Sequence, residues 1–247
     1  MILYRKGVRE LGLALLDFVY PPHCLACGEA VTDAGEYLCE GCWREILVRP
    51  RARCRRCSCP LEVENQTCAN CAYWEPEFER ALVLGPFEGV MQQVVHALKF
   101  LHQQDLGMEL GRRLGQRAEF VEDLQEIDLL VPVPLHPARQ RERGYNQSLC
   151  ISRGLAEVVG CPLDNKLLQR RIATRQQAKL DARERRENLR DAFQMVGDLP
   201  AGTCIGVVDD VLTTGATLNA CARVLQRAGA RRIWVLALAS PFHMAVE

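Results

Sequence analysis

Gly202-Thr-Cys-Ile-Gly-Val-Val-Asp-Asp-Val-Leu-Thr-Thr-Gly-Ala-Thr217 is the stretch whose reading decides the fold. Its apolar, β-branched run (Ile205, Val207, Val208) ends in two adjacent carboxylates, Asp209 and Asp210. A Thr/Gly loop comes next, then a helical pattern from Leu218 to Ala228. This succession predicts a buried strand, an acidic corner and a helix N-terminus. In open α/β sheets, ligands sit in the crevice beyond the carboxyl ends of the strands, and the amides opening a helix favour an anion. The expected ligand therefore carries both hydroxyls and a phosphate. Along Val208 to Thr217, Asp209 and Asp210 can accept hydrogen bonds from vicinal sugar hydroxyls. Thr213, Thr214, Gly215, Ala216 and Thr217 offer amides and hydroxyls to a phosphate. A solvated strand end and a plain turn would use similar residues, but would not need strand, acid pair, glycine and helix start at this spacing.

Working outward, Arg232 to Ser240 reads as a further buried strand, with Gly229 as the stop signal of the helix before it. Upstream, Arg80 to Phe87 and Ile127 to Val133 read as strands, and Val90 to Leu101, Asp105 to Phe120 and the residues up to Val159 as helices. The segment from Val131 onward holds Pro132, Pro134 and Pro137, which are expected to keep it out of helix and in an ordered loop at the carboxyl edge. Arg139, Arg141 and Arg143 in that loop present planar donor forks suited to a diphosphate, and Asn146 and Gln147 open the next helix. Lys99 sits at a helix end within reach of a phosphate; a surface lysine near a helix C-terminus is the plainer role. Leu168 to Phe193 is too rich in charge for a core element and reads as a basic flap over the ligand crevice.

The chain has 247 residues and a formal net charge of zero, so no global field argues for nucleic acid or membrane. Its distribution is uneven: residues 139–190 carry thirteen basic and six acidic groups, whereas 76–138 carry five and ten. Residues 1–20 place Val8, Leu11, Leu15, Phe18 and Val19 at helical spacing among charges. That is too short and too charged to span a bilayer, and it lacks a small-residue cleavage site; a helix packed on the body of the protein is expected.

Nine of thirteen cysteines fall between Cys24 and Cys71. Eight form the pairs Cys24/Cys27, Cys39/Cys42, Cys54/Cys57 and Cys68/Cys71, each Cys-x-x-Cys, as tetrahedral zinc requires. Two structural four-thiolate sites are expected, paired in sequence as a double zinc ribbon, with interleaved cross-brace pairing as the alternative. Cys59 stands outside the pairs, either a plain thiol or a ligand. Metal binding would fold this segment, which has few large apolar residues, and reduced thiols place the chain in a reducing, cytoplasmic compartment. The run Arg49 to Arg56 holds five arginines and reads either as a nucleic-acid contact or as a solvated linker face, since residues 20–75 hold six basic and eight acidic groups.

Val207 to Thr217 resembles the phosphoribosyl-diphosphate motif of type I phosphoribosyltransferases, and the arginine loop resembles a longer, more basic version of their pyrophosphate loop. Tyr20-Pro-Pro-His-Cys-x-x-Cys27, the cysteine ribbons, Val131-Pro-Val-Pro-Leu135, Arg143-Gly-Tyr-Asn-Gln147, Thr174-Arg-Gln-Gln-Ala-Lys-Leu180, Arg186-Glu-Asn-Leu189 and Val208-Asp-Asp-Val-Leu-Thr-Thr-Gly215 together resemble the ComF family, of ComFC or GntX type. The resemblance covers nearly the whole chain. It implies an α/β fold with a type I phosphoribosyltransferase-like parallel sheet and flanking helices, preceded by a small zinc-ribbon domain. The expected organisation is an N-terminal helix at 1–19, a double zinc ribbon at 20–75 and the phosphoribosyltransferase-like domain at 79–243. It also implies phosphoribosyl diphosphate bound with Mg2+, and a cytoplasmic role in competence-linked DNA uptake or DNA utilisation, with single-stranded DNA and competence proteins as partners. Catalysis would fall to Asp209 and Asp210, and pyrophosphate to Arg139, Arg143, Asn146, Gln147 and Lys99. Two function classes remain: transfer of ribose 5-phosphate to an acceptor the sequence does not identify, or a non-catalytic DNA-handling module whose phosphoribosyl site senses a ligand.

Overall fold

A computed structural model of the chain describes residues 22–31, 36–48, 52–63, 66–73, 76–171 and 192–241. The expected N-terminal helix, Arg49 and Arg51, and the interior of the basic flap lie outside these residues. In the ribbons, helix α1 (Glu40–Ile46) and helix α2 (Ala69–Tyr73) flank two short antiparallel strands, β1 (Ala52–Arg53) and β2 (Pro60–Leu61). Then come β3 (Arg80–Pro86), α3 (Gly89–Phe100), α4 (Gln104–Gly115), a 3-10 turn (Ala118–Phe120) and α5 (Val121–Gln125). The remainder is β4 (Leu129–Pro132), α6 (Pro137–Arg143), α7 (Gln147–Val159), β5 (Leu168–Arg170), β6 (Phe193–Met195), β7 (Cys204–Val211), α8 (Ala216–Arg227) and β8 (Arg232–Ser240).

The central sheet runs β3-β8-β7-β4 with every pairing parallel; Arg80 faces Trp234, Val207 faces Val235, and Leu129 faces Ile205. All four carboxyl ends therefore open on one edge, where the acid pair sits. Alternate residues of each strand feed two cores. Leu82, Leu84, Leu130, Val208, Leu236 and Leu238 pack under α3, α4 and α7, with Leu98, Leu106, Leu110, Ile151 and Leu155. Val83, Val131, Ile205, Val207, Val235 and Ala237 pack under α8, with Leu218, Cys221, Ala222 and Leu225. Burial on both faces is why these strands read as continuous apolar runs, and each buried Leu or Val adds about 1.5–3 kcal/mol.

Each ribbon joins a different core. Cys24, Leu38, Cys42 and Ile46 continue the first, whereas Cys54, Cys57, Cys59, Cys68 and Cys71 continue the second. The first ribbon is bonded to the sheet domain: Arg117, 5% exposed, donates from Nη1 to Leu47 O at 2.9 Å and from Nη2 to Leu84 O at 3.1 Å. Across the interface the Glu45 carboxylate accepts from Val90 N at 2.9 Å, capping the N-terminus of α3 in place of an N-cap side chain of its own.

One expectation is corrected. Pro137 does not hold its segment out of helix: it occupies the first turn of α6, where a missing amide costs nothing, and His136 caps that turn by accepting from Ala138 N. Asp209 and Asp210 fall within the last three residues of β7, whose pairing continues through Asp209 opposite Ala237 to Val211 opposite Ala239. The two ends of the segment read as a basic flap, β5 and β6, pair antiparallel.

Candidate functional site

β7 lifts Asp209 and Asp210 to the carboxyl edge, and β4 delivers the neighbouring loop beside them, Val133 N donating to Val208 O at 2.9 Å. Asn146 fixes the end of that loop. Its Nδ2 donates to Val133 O at 3.0 Å and its Oδ1 accepts from Ser148 N at 3.0 Å, so one side chain ties the loop to the strand end and caps α7. The first turn of α7 is thereby laid on the acids. Gln147 Nε2 donates to Asp210 Oδ2 at 3.0 Å, and Ser148 Oγ donates to Asp209 Oδ1 at 2.9 Å. Asp209 Oδ1 also accepts from Asp210 N at 2.9 Å.

Lys99, in the last turn of α3, places Nζ 3.1 Å from Asp210 Oδ2. Tyr145 secures that helix end by donating from its hydroxyl to Leu98 O, and burial holds its phenol up at about 12. Each carboxylate thus has one oxygen committed to the protein. Among the described residues, Asp209 Oδ2 and Asp210 Oδ1 have no hydrogen-bond or ion-pair partner, and each can accept from a donor that enters the corner. Gln147, 4% exposed, likewise keeps a buried Oε1 without a hydrogen bond among the described residues.

Loss of solvation, and next the neighbouring charge of Asp210, push the Asp209 carboxyl up to about 7; the Asp210 amide, Ser148 and Lys99 oppose the rise. A cation or a set of hydroxyl donors at this corner would favour the charged form. Beyond the acids, Leu212 N is tied to Ala239 O at 2.8 Å, and Gly215 turns the chain at φ 72, a left-handed conformation that glycine adopts without strain. Thr214 Oγ1 accepts from Ala216 N at 3.4 Å, and Thr213 is exposed. The first amides of α8 have no partner within their own helix and face the same edge.

The structure therefore gathers Lys99, Gln147, Asp209 and Asp210 in direct contact, while Asn146 acts on the loop that carries Gln147. Arg139 and Arg143 lie on α6 instead; Arg143 stacks its guanidinium 5.9 Å from the Phe100 ring. Arg170, on β5, lies in the field of both Arg139 and Asp209. Burial, then the charge of Arg139, lower its pKa. Sequence reasoning missed Ser148 as a partner of the acids. Its signal was its place directly after Asn146 and Gln147, in a first turn that had to face the sheet edge.

Both cysteine groups suit zinc. In the first, the sulfurs of Cys24, Cys27, Cys39 and Cys42 lie within 4.8 Å of one another, with Cys27 and Cys39 3.6 Å apart. Sulfurs bound tetrahedrally at Zn–S of about 2.3 Å would stand about 3.8 Å apart. Pairing is therefore sequential. In the second, Cys54, Cys57, Cys59 and Cys68 meet the same 4.8 Å condition, with Cys57 and Cys68 3.6 Å apart. Cys71, 2% exposed, lies against them, its amide donating to Cys68 Sγ at 3.4 Å. Every donor is a thiol, so these are closed structural sites. The acid pair offers only oxygen donors toward the ligand, the chemistry a hard cation such as Mg2+ takes.

The double zinc ribbon domain family matches residues 15–72. The chain is 32% identical over 222 residues to competence protein F of Haemophilus influenzae, covering 87% of this chain and 96% of the relative. It is also 32% identical to DNA utilization protein YhgH of Salmonella typhimurium, covering 88% and 96%, and 25% identical to competence protein ComFC of Bacillus subtilis, covering 90% and 92%. Among solved structures, it is similar to a glutamine phosphoribosylpyrophosphate amidotransferase from B. subtilis, at 20% identity and a TM-score of 0.39, over 57% of this chain and 30% of that one. A purine phosphoribosyltransferase from Pyrococcus horikoshii is similar at 20% identity and a TM-score of 0.33, over 60% and 80%. No helix among the described residues is long and apolar enough to cross a membrane.

Proposed function

The chain belongs to the competence protein F family, and from that premise we propose that it binds phosphoribosyl diphosphate with magnesium in the service of DNA uptake or utilisation. The observation that carries the reading is the acid pair at the sheet's carboxyl edge, each carboxylate held through one oxygen and open at the other. Two such oxygens on adjacent strand residues suit the vicinal hydroxyls of a ribose. The α8 N-terminus, one loop further on, suits its 5-phosphate.

Lys99, Gln147 and the arginines of α6 then face the diphosphate. Lys99 exchanges part of its attraction to Asp210 for the diphosphate, which it can reach from the same helix end. Asp209 and Asp210 would hold magnesium through their open oxygens, directly or through water; when bound, it neutralises the diphosphate and the charge that gathers on it as the bond to the sugar breaks. As that bond breaks, positive charge grows on the ribose, and the acid pair beneath it stabilises that charge. Arg170 on β5 and Arg139 on α6 supply cations on the diphosphate side. The acceptor of the ribose 5-phosphate is the open part of the reading. With no acceptor, the same site works as a ligand sensor in a DNA-handling protein, and the name of the DNA utilization relative in Salmonella favours a role with DNA in either form.

Calorimetric titration of the zinc-loaded protein with phosphoribosyl diphosphate and magnesium tests the site. Binding by the wild type and loss in the Asp209→Asn/Asp210→Asn double variant are expected; no heat with the wild type overturns the reading. Pyrophosphate release with candidate bases and with single-stranded DNA then separates transfer from sensing.

A further inference from the structure

The two ribbons are built on the same knuckle, and comparing them isolates one residue. In the first, Cys24 N donates to Glu29 O at 2.7 Å and Gly28 N to Cys24 O at 3.0 Å, with Gly28 left-handed at φ 75. In the second, Cys54 N donates to Cys59 O at 2.7 Å and Ser58 N to Cys54 O at 3.0 Å, with Ser58 left-handed at φ 59. The backbones correspond bond for bond. Where the first ribbon exposes Glu29, the second buries Cys59, 7% exposed, with its sulfur inside the 4.8 Å cluster of Cys54, Cys57 and Cys68. Ser58 anchors the turn by donating from its hydroxyl to Ala81 O of β3. A serine with positive φ is uncommon, and holding it there costs strain.

Cys71, 2% exposed, closes on the same cluster, its amide donating to Cys68 Sγ at 3.4 Å. Five thiols therefore surround a position where zinc takes four. We propose that Cys59 and Cys71 are alternative fourth ligands of one zinc held by Cys54, Cys57 and Cys68, so that the second ribbon is a five-thiol exchange site and the first a fixed four-thiol site. In the exchange, the incoming thiol forms a zinc–sulfur bond as the bond to the outgoing thiolate breaks. The proton passes from the incoming sulfur to the outgoing one, and no electron is transferred. A fifth thiol beside the metal offers an associative route for ligand loss that the first ribbon lacks.

The test uses the full-length protein loaded with zinc, with metal content, thiolate-to-cobalt charge-transfer bands after cobalt substitution, and zinc release to a chromogenic chelator as readouts. Cys59→Ser and Cys71→Ser are each expected to keep two metals per chain and a full four-thiolate cobalt spectrum, and Cys59→Ser/Cys71→Ser to keep one. In the wild type the two zincs should leave in two phases about ten-fold apart, and Cys59→Ser should slow the faster phase to the slower. A fall to one metal in either single variant shows a fixed ligand set and overturns the proposal. So does a release profile that Cys59→Ser leaves unchanged, a readout that does not depend on the double variant folding.

Discussion

Lys99 Nζ stands 3.1 Å from Asp210 Oδ2, so the helix after the first strand of the sheet ends on the acid of the strand lying two positions away. Gln147 shares that oxygen at 3.0 Å. Removing the cation leaves a carboxylate, 8% exposed, with one neutral donor. Lys99→Met is expected to destabilise the protein by about 1–3 kcal/mol, with Lys99→Met/Asp210→Asn recovering part of the loss. Urea denaturation of the four proteins of this cycle measures the coupling, and additive losses would show that the pair contributes nothing.

Asp209 makes the site depend on pH. Its carboxyl is raised to about 7, first by desolvation and next by Asp210, so the fold favours its protonated form. That contribution to stability is complete below the ordinary carboxylate range, about 4, and is lost as pH rises through about 7. The ligand-free protein should therefore lose stability between about pH 4 and 7 in a way that Asp209→Asn does not. Binding of the magnesium complex, which favours the charged form, should tighten over the same range and release up to one proton per site at pH 6. Titrations at pH 6 in buffers of different ionisation heat count that proton, and a count of zero would refute the linkage.

How much of the fold and site was legible in the sequence depended on whether a residue's role was local. β8 was read to the residue, Arg232 to Ser240, because a strand buried on both faces advertises itself as one apolar run. The acid pair, the Thr/Gly loop and the eight paired cysteines were equally plain, since their spacing is their chemistry. Pro137 misled because a proline that blocks a helix interior is welcome at its first turn, and only the cap by His136 decides between them. Ser148 and Lys99 took their meanings from the acids at positions 209 and 210, and Cys59 from the Cys68 thiol, all partners that a linear pattern does not bring near.

Zinc should be felt in the sheet domain. Glu45 reaches from α1, which begins just after Cys39 and contains Cys42, to cap the helix that carries Lys99. Stripping the metal with a chelator is expected to melt the ribbon and, with it, the protection of the Val90 amide. Glu45→Ala in the zinc-loaded protein should cost about 1 kcal/mol and raise exchange at the same amide. Hydrogen exchange by mass spectrometry reads both, and unchanged protection around residues 89–92 after metal removal would rule out the coupling.

The packing of α4 on α7 is close enough that two glycines are obligatory for space. A Cβ on Gly154 would lie 1.8 Å from Met108 O, and one on Gly111 2.0 Å from Ile151 O. These are backbone atoms of the facing helix, so the helices themselves would have to part, and α7 carries Gln147 and Ser148. Gly154→Ala is expected to cost about 3 kcal/mol and to weaken ligand binding. Gly160→Ala meets open space, and should cost only the left-handed strain of φ 71, about 1 kcal/mol. Equal thermal shifts in the two variants would contradict the close approach.

Tyr145 provides the separation of positioning from chemistry. Its hydroxyl donates to Leu98 O, one of the last carbonyls of α3, which a helix end cannot satisfy for itself. The ring is 6% exposed, and its centroid lies 6.4 Å from that of His102, just past the helix end. Tyr145→Phe keeps the packing and removes only the hydrogen bond, so about 1 kcal/mol of stability should go. If the bond serves to aim Lys99, the variant will also bind the magnesium complex of phosphoribosyl diphosphate about ten-fold more weakly, and in Lys99→Met the same change will add nothing. Calorimetry on the two single variants and their combination decides it. Additive losses of affinity would mean that Tyr145 acts on the ligand by some route other than Lys99.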